Sequence, residues 1–184
     1  MMTYLMTPKG RLVLRQAIPE DAAQLRTLRL EALADTPQAF ASDVESAASE
    51  SVESWARRIA DNSGEQGIVC VAEADGGLTA MLGCRRGDRA KTRHGGMVWG
   101  VYVQPVWRGL HIAEALLGLT FAWAQANGLT VQKLGVVASN TPAIRCYARC
   151  GFSVYGVEPQ AIYYNGVYYD ELLMARPVAL SDRM

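Results

Sequence analysis

A strand, a turn, a helix and a second strand are predicted in direct succession in the middle of the chain, and this unit constrains the fold most. The apolar, β-branched run Met97–Val103 indicates a buried strand, which Pro105 ends because proline has no N–H to donate to a ladder. Apolar residues then recur at helical spacing from Leu110, and Asn127-Gly128 closes the helix. Val131–Ser139 indicates a second buried strand. The helix N-terminus therefore faces the loop that follows the first strand.

Two glycines suggest that this loop accepts a ligand. Gly100 interrupts the apolar strand, where a glycine often marks a bulge or the close approach of another group. Gly109 lies in the turn, where a side chain would obstruct a ligand resting on the backbone. A helix N-terminus offers N–H groups and a partial positive charge, which suit a phosphate. On spacing alone, an ordinary strand-to-helix connection without a ligand is equally open.

The composition indicates one globular domain. The chain has 184 residues, of which half are hydrophobic and a fifth are charged. Its 18 Lys and Arg residues balance 18 Asp and Glu residues, so we expect no nucleic acid and no anionic membrane as partner. No segment approaches the ~20 apolar residues of a membrane span. The start, MMTYLMTPKGRL, lacks the apolar core of a signal peptide.

The four cysteines favour a reducing, cytoplasmic location. They form no C-x-x-C pair, and a chain of this length does not need disulfides. Cys146 and Cys150 lie four residues apart on a predicted helix and share a face. A metal site would need two more ligands, and the only histidines are His94 and His111. We therefore expect free thiols and no metal.

Two motifs resemble those of a known family. The stretch V-Y-V-Q-P-V-W-R-G-L-H-I-A-E-A-L-L, residues 101–117, resembles the acyl-CoA signature of the GNAT superfamily of N-acetyltransferases, loosely V-x-P-x-x-R-G-x-G-I-G-x-x-L-L. The stretch N-T-P-A-I-R-C-Y-A-R-C-G-F, Asn140 to Phe152, resembles the N-x-x-A-x-x-x-Y-x-x-x-G-F of the same family. The two motifs follow in the right order, about thirty residues apart, as one βαβ unit requires.

The resemblance implies an α/β (α+β) fold with a GNAT-like mixed, centrally splayed sheet of about seven strands and about four helices on both faces. It covers residues 11–177, which we predict to be a single GNAT-like domain, with short terminal extensions at 1–10 and 178–184. The other patterns agree with a sheet. Strands are predicted at Arg11–Arg15, Gly67–Ala74 and Leu78–Arg85, and a hairpin is predicted around Asn165-Gly166.

The resemblance also implies an enzyme that moves an acetyl group from acetyl-CoA to a primary amine by direct attack in a ternary complex. A bulge at Gly100 would splay the two central strands and open a slot for the pantetheine arm of the cofactor. The residues implied for acetyl-CoA binding are Val101, Tyr102, Val103, Arg108, Gly109, Leu110, His111, Ile112, Ala113 and Asn140. Tyr147 occupies the position of the family's tyrosine that assists the thiolate leaving group. The alternative for Tyr147 is a core tyrosine without a catalytic role.

His111 and Ala113 depart from the family signature, since they stand where the family has its second and third glycines. Alanine is a mild change, whereas histidine matters if that position needs a positive φ. We favour the interpretation that His111 is helical and contributes only its N–H. The other interpretation is that a protonated imidazole contacts the pyrophosphate.

The sequence leaves the general base, the acceptor and the assembly open. Glu73 ends a predicted strand, and Asp170 and Glu171 follow the predicted hairpin, so each is a candidate for the base. The alternative for each is a solvated charge at a strand end, in which case an ordered water would relay the proton. The acceptor is expected to be a small-molecule or peptide amine, and a homodimer is possible. A dinucleotide oxidoreductase would need G-x-G-x-x-G and an acid after the second strand, and the chain has neither there. A non-catalytic acyl-CoA-binding sensor or regulatory module is the remaining alternative function.

Overall fold

A computed structural model of the protein describes residues 2–179 and places eight strands in one mixed sheet. In chain order these are β1 (Met2–Thr7), β2 (Gly10–Gln16), β3 (Gly67–Ala74), β4 (Gly77–Arg86), β5 (Gly95–Val103), β6 (Val131–Val137), β7 (Ser153–Tyr164) and β8 (Val167–Pro177). Their spatial order is β1-β2-β3-β4-β5-β6-β8-β7. Neighbours are antiparallel except β5 and β6, which are parallel.

Five α-helices within residues 2–179 cover the two faces of this sheet. They are α1 (Ala22–Asp35), α2 (Val44–Ser49), α3 (Val52–Asp61), α4 (Ile112–Ala126) and α5 (Thr141–Arg149). The mixed, two-sided architecture confirms the predicted fold class, with eight strands where about seven were expected and five helices where about four were expected. The additional helix, α2, is one short segment capped by Asp43, whose carboxylate accepts from the Ser46 N–H at 2.7 Å.

The additional strand is β1, which lies in the segment that we expected to be a terminal extension. It forms a hairpin with β2, in which Met2 pairs with Arg15 and Thr7 pairs with Gly10. As an edge strand it leaves Met2, Tyr4 and Met6 exposed, so it lacks the buried alternation that identifies a strand in a sequence.

At the other end of the described residues, the chain remains packed against the sheet just beyond the last strand. β8 ends at Pro177, and Val178 is buried, with its N–H donating to the Thr130 carbonyl at 2.9 Å. The rest of the predicted extension, residues 180–184, lies outside the described residues.

Apolar side chains form a separate core on each face of the sheet. On one face α4 packs on β3 and β4, and α5 adds Tyr147 beside Leu116 and Leu117. On the other face α1 and α3 pack together, burying Leu28, Trp55 and Tyr102. β5 contributes to both cores and therefore holds the two helix layers in a fixed relation.

The central strands β5 and β6 separate soon after they meet. They pair only over Gly95–Met97 and Val131–Lys133, and beyond these residues their facing edges are not joined. Gly100 has φ +65°, and the register between β4 and β5 shifts between Met81 and Gly83, opposite this glycine. The distortion turns the end of β5 away from β6, so the predicted central splay lies where Gly100 indicated.

Candidate functional site

A cleft of about 570 Å³ occupies the gap between the separated strands. Such a volume is typical of small-molecule and cofactor sites. Its walls come from the end of β5, the turn after it, the start of α4, the second half of β6 and the start of α5. The residues Thr36, Ala39 and Phe40, which follow α1, close one side. Six parts of the chain therefore converge on one opening.

The turn between β5 and α4 exposes backbone N–H groups to the cleft. Gly109 has φ +79°, and no atom lies within 4 Å of the point that a β-carbon on it would occupy. His111 is the N-cap residue of α4, so the first N–H groups of that 15-residue helix have no intrahelical partner. The arrangement is a helix N-terminus with open space in front of it, which suits an anion.

His111 differs from the interpretation that we favoured. It is not helical but left-handed, with φ +58° and ψ +23°, so this position does need the conformation that a glycine adopts most readily. The imidazole is exposed, and its Nδ1 lies 3.0 Å from Oε1 of Glu114. The same carboxylate accepts from the Arg149 guanidinium at 2.6 Å. These contacts hold the imidazole at the mouth of the cleft.

Arg108 uses its side chain to fix the turn. Its Nε donates to the Val103 carbonyl at 3.0 Å, and its guanidinium forms an ion pair with Asp35 of α1. It also lies over the Tyr102 ring, 5.6 Å from the centroid. These contacts engage Nε and Nη2 of the guanidinium and hold the side chain against the turn.

Most of the other residues implied for cofactor binding line the cleft, and the rest pack beside it. Val101, Val103, Ile112, Ala113 and Asn140 line the cleft, whereas Leu110 packs against the core beside it. Tyr102 contributes to the lining of the cleft, but its hydroxyl lies on the other face of the sheet, where it donates to Glu31 at 3.1 Å.

Asn140 caps α5, with Oδ1 accepting from the Ala143 N–H at 3.2 Å. The cap uses only the carbonyl oxygen, so the amide nitrogen can still donate into the cleft.

Tyr147 lines the same cleft from α5. Its side chain is buried, and its ring meets Phe152 edge-on with centroids 6.1 Å apart. Burial, with smaller effects of Cys146 and Cys150, raises the pKa of the Tyr147 phenol, so the hydroxyl is neutral and can donate a proton or hydrogen bond. Within residues 2–179 the hydroxyl makes no hydrogen bond, which leaves it available to a ligand.

The three carboxylates considered as the general base lie in different environments. Glu73 is bound to Arg15 at 2.8 Å and is not among the residues that line the cleft. Asp170 accepts from the Gln160 N–H at 2.8 Å on the exposed hairpin. Glu171 is half-buried and lies against Gly135, which does line the cleft. Burial, together with the nearby Glu158, raises the pKa of the Glu171 carboxyl.

Comparison with known proteins identifies the family of the chain. The model of the Acetyltransferase (GNAT) family matches residues 28–152, about two thirds of the chain. The chain belongs to the GNAT acetyltransferase family.

Three proteins illustrate what the chain is similar to. The L-amino acid N-acetyltransferase AaaT of Escherichia coli K12 is 30% identical over 66% of this chain and 74% of its own length. The aminoglycoside N(6')-acetyltransferase type 1 of Stenotrophomonas maltophilia is 27% identical over 76% of this chain and 84% of its own. The YncA acetyltransferase structure from Salmonella typhimurium, solved with its cofactor acetyl-CoA, is 21% identical over 94% of this chain and 99% of its own, with a TM-score of 0.81.

This GNAT chain also has polar residues on α1 that sequence reasoning missed. Glu31 accepts from both Tyr102 and Gln104, the latter at 2.8 Å, and Asp35 pairs with Arg108. Both carboxylates therefore hold the end of β5 and the turn in place. The available signal was their i, i+4 spacing, which puts two acids on one face of a predicted helix.

None of the helices in residues 2–179 combines the length with the hydrophobicity that a transmembrane span requires. In the same part of the chain, no three or more His, Cys, Asp and Glu side chains are grouped so that they could hold a metal ion.

Proposed function

We propose that the protein transfers the acetyl group of acetyl-CoA to a primary amine of a small-molecule acceptor. The observation that carries the proposal is the cleft between β5 and β6, because unpaired strand edges, an open helix N-terminus and a buried tyrosine meet there. The names of the relatives support an amine as acceptor, since one acts on L-amino acids and another on aminoglycosides.

The residues present fit the parts of acetyl-CoA. Gly109 and the N–H groups at the start of α4 would hold the pyrophosphate, because no β-carbon stands in front of them. The backbones of Val101 and Val103 would pair with the amide groups of the pantetheine arm, as an exposed strand edge pairs with an added strand. Asn140 would add a side-chain amide from the opposite wall. Acetyl-CoA supplies the thioester that is cleaved.

The acceptor amine must lose a proton to attack. An amine is ordinarily protonated near neutral pH, so a base is needed, and Glu171 is our candidate because its raised pKa brings it closer to neutrality. The ammonium first gives one proton to Glu171, directly or through a water, and becomes a neutral amine. Its nitrogen then bonds to the acetyl carbon while the C–S bond breaks, and the second proton lost from the nitrogen replaces the one that Tyr147 gives to the sulfur. Tyr147 donates its phenol proton or a hydrogen bond to the departing sulfur.

Direct transfer is favoured over an acetyl-enzyme. Cys146 is the thiol that lines the cleft, but the hydrogen bond with Cys150 and burial raise the pKa of Cys146. A thiol acts as a nucleophile through its thiolate, so Cys146 is poorly suited to accept the acetyl group.

The test combines binding with turnover. Acetyl-CoA should raise the melting temperature of the protein by mass action, and CoA should be released when a panel of amines is added. Gly109→Val should remove the shift, because a side chain there blocks approach to the backbone. Gly76→Val is the matched control, since Gly76 has nearly the same φ (+77°), equally open surroundings and a place in the distant β3–β4 turn.

Three results would contradict parts of the proposal. If Gly109→Val keeps the shift, the phosphate site lies elsewhere. If acetyl-CoA binds but no amine gives CoA release, the protein is an acyl-CoA-binding sensor. A covalent acetyl-Cys146 that forms and decays at the rate of turnover would replace direct attack.

A further inference from the structure

A second pocket lies at the end of β5 that is remote from the cleft. It has a volume of about 410 Å³, within the range of small-molecule sites. Its floor is the ladder between β5 and β6, which contributes Gly95, Gly96, Met97, Val131 and Lys133. The turn that opens into the cleft begins six residues beyond Met97, or about 20 Å along the strand. We call this second opening the ladder pocket, and it shares no lining residue with the cleft.

Two positive side chains lie on either side of the floor of the ladder pocket. Arg85 of β4 pairs with Met97 of β5, and Met97 pairs in turn with Lys133 of β6. Residues that are paired in this way point their side chains to the same face of a sheet. Neighbouring strands are ~4.8 Å apart, so the backbones of the two cationic residues are about 10 Å apart. Two long side chains at this separation can both contact one anion above Met97.

Neither cation has an acidic partner. Within residues 2–179, the Arg85 side chain forms no ion pair, and Lys133 contacts only an aromatic ring. The lining also includes Arg86 and one acid, Asp88, so that its positive side chains exceed its negative ones by two when His94 is uncharged. The pocket therefore has a surplus of positive charge that the described part of the chain does not neutralise.

The loop between β4 and β5 forms a wall of the pocket with a defined shape. It folds back so closely that a β-carbon on Gly87 would lie 2.4 Å from the Thr92 carbonyl oxygen. The Gly87 N–H donates to the Gly95 carbonyl at 3.0 Å, and the Gly95 N–H donates to the Thr92 carbonyl at 3.0 Å. Glycine at position 87 is thus what permits the loop to close over the strand ends.

This loop also makes the pocket the positive end of the chain. It carries three further cations, all of them exposed: Arg89, Lys91 and Arg93. Because the whole chain has equal numbers of acidic and basic residues, the rest of the chain carries a net negative charge. Like charges concentrated in one place repel one another, and a bound anion relieves this repulsion.

We propose that the ladder pocket binds the phosphate monoester group of a small organic molecule. A phosphate monoester carries about −1.5 to −2 charges near neutral pH, which matches the surplus of two positive charges, whereas a carboxylate supplies only one negative charge. The Arg85 guanidinium can donate two parallel hydrogen bonds to phosphate oxygens, and Lys133 adds a third contact from the other side. The organic part would lie on Met97, whose side chain is 50% exposed. The proposal does not depend on the function of the cleft.

Phenyl phosphate is the probe, because it joins a phosphate monoester to a ring that can lie on Met97. It is titrated into the protein saturated with CoA, and the backbone N–H signals of Gly95 and Gly109 are followed by NMR. Gly95 reports on the ladder pocket and Gly109 on the cleft. Benzoate, inorganic phosphate and a phosphoserine peptide are titrated in the same way.

Three variants test the assigned side chains. Arg85→Met and Lys133→Met each remove one charge and keep an apolar stem. Arg57→Met removes the charge of an exposed residue on α3 and is the matched control, since it lowers the net charge equally but lies outside the pocket.

We expect phenyl phosphate to shift the Gly95 signal in a saturable manner and to leave the Gly109 signal in place. Arg85→Met and Lys133→Met should each weaken binding by about tenfold or more, as expected for the loss of a hydrogen bond to a charged group. Arg57→Met should stay within about twofold of the wild type. Benzoate and inorganic phosphate should bind at least fivefold more weakly than phenyl phosphate, because one lacks the second charge and the other lacks the ring.

Several results would overturn the proposal. The site is rejected if the Gly95 signal does not shift, or if all three variants weaken binding equally. Equal affinity for benzoate would remove the assignment to phosphate, and equal affinity for inorganic phosphate would remove the organic part of the ligand. Tighter binding of the phosphoserine peptide than of phenyl phosphate would replace the small molecule with a phosphorylated protein.

Discussion

The carboxylate of Glu171 on β8 occupies the space that a side chain on Gly135 of β6 would need. A β-carbon on Gly135 would lie 2.5 Å from Oε2 of Glu171. Glycine at this position therefore lets a half-buried carboxylate lie directly against the strand that forms one wall of the cleft. Glu171 is not itself among the residues that line the cleft, but of the three acids considered it is the one that lies against a lining residue.

Glu171→Gln should lower kcat and remove the acidic limb of the pH–rate profile. A base acts in its deprotonated form, so wild-type activity should fall as the pH drops through the raised pKa of Glu171. Glu158→Gln is the companion variant: it removes the neighbouring like charge that helps to raise the pKa of Glu171, so its acidic limb should move to lower pH. An unchanged limb in Glu171→Gln would assign the base to another group.

Tyr147→Phe should keep the ring packing on Phe152 and lose only the hydroxyl. General acid catalysis is typically worth 10²–10⁴-fold, so we expect kcat to fall at least tenfold at saturating acceptor. The affinity for acetyl-CoA, measured by titration, should be close to that of the wild type. Tyr4→Phe, which alters an exposed tyrosine on β1, should change neither quantity. Full turnover in Tyr147→Phe would leave Tyr147 as a packing residue.

His111→Gly should stabilise the protein by about 1 kcal/mol, because glycine adopts the left-handed conformation of this residue without a β-carbon penalty. His111→Ala removes the same imidazole but keeps a β-carbon, so the difference between the two variants in denaturant unfolding isolates the backbone contribution. If the N–H alone serves the cofactor, both variants should bind acetyl-CoA within about threefold of the wild type, or ~0.7 kcal/mol. A larger loss in both would assign a role to the imidazole.

Asp21→Asn should destabilise the fold by about 2 kcal/mol at neutral pH, the range for hydrogen bonds to charged groups. Asp21 is buried beside Arg15 at 2.6 Å and also accepts from the Ile18 N–H at 2.8 Å. Burial alone would raise the pKa of Asp21, but these hydrogen bonds and the charge of Arg15 outweigh it and lower the pKa.

The pH dependence of this contribution has a definite sign. A lowered folded-state pKa gives stability that is present above the unfolded value of about 3.9 and is lost as the pH falls through the folded value. The wild type and Asp21→Asn should therefore converge in unfolding free energy below about pH 4. Parallel curves down to pH 2 would mean that Asp21 stabilises the fold without its charge.

The central unit could be predicted from the sequence because its signals are local. The apolar run ending at Val103, the glycine at 109 and the helical spacing that follows each specify their own backbone. The signal from Gly100 is also local, because a glycine within an apolar strand predicts a bulge. The left-handed conformation of His111 was not predicted. The family has a glycine at this position, which suits a positive φ, but no local pattern shows whether a histidine there is a capping residue or a helical one.

The neighbours of the cleft on the other elements could not be predicted, since packing between distant segments brings them together. Arg29 and Trp55 lie on different helices and become neighbours only when α1 and α3 pack on the same face of the sheet. Glu171 is one of several acids near strand ends in the sequence, and only the pairing of β8 with β6 sets it beside a glycine. The spacing of apolar residues predicts which face of a helix or strand is buried. It does not predict which residues of another element that face will contact.

The short ladder between β5 and β6 also has a mechanical consequence. Within the described residues, the sheet consists of two pieces that are each continuous in sequence, β1 to β5 and β6 to β8, and three residue pairs join them along a seam. Under a pulling force, such a seam bears load through few hydrogen bonds, so it is the line along which the sheet should part first. A molecule that binds to both walls of the gap would link the two pieces of the sheet. The force needed to unfold the protein should then increase with the concentration of that molecule.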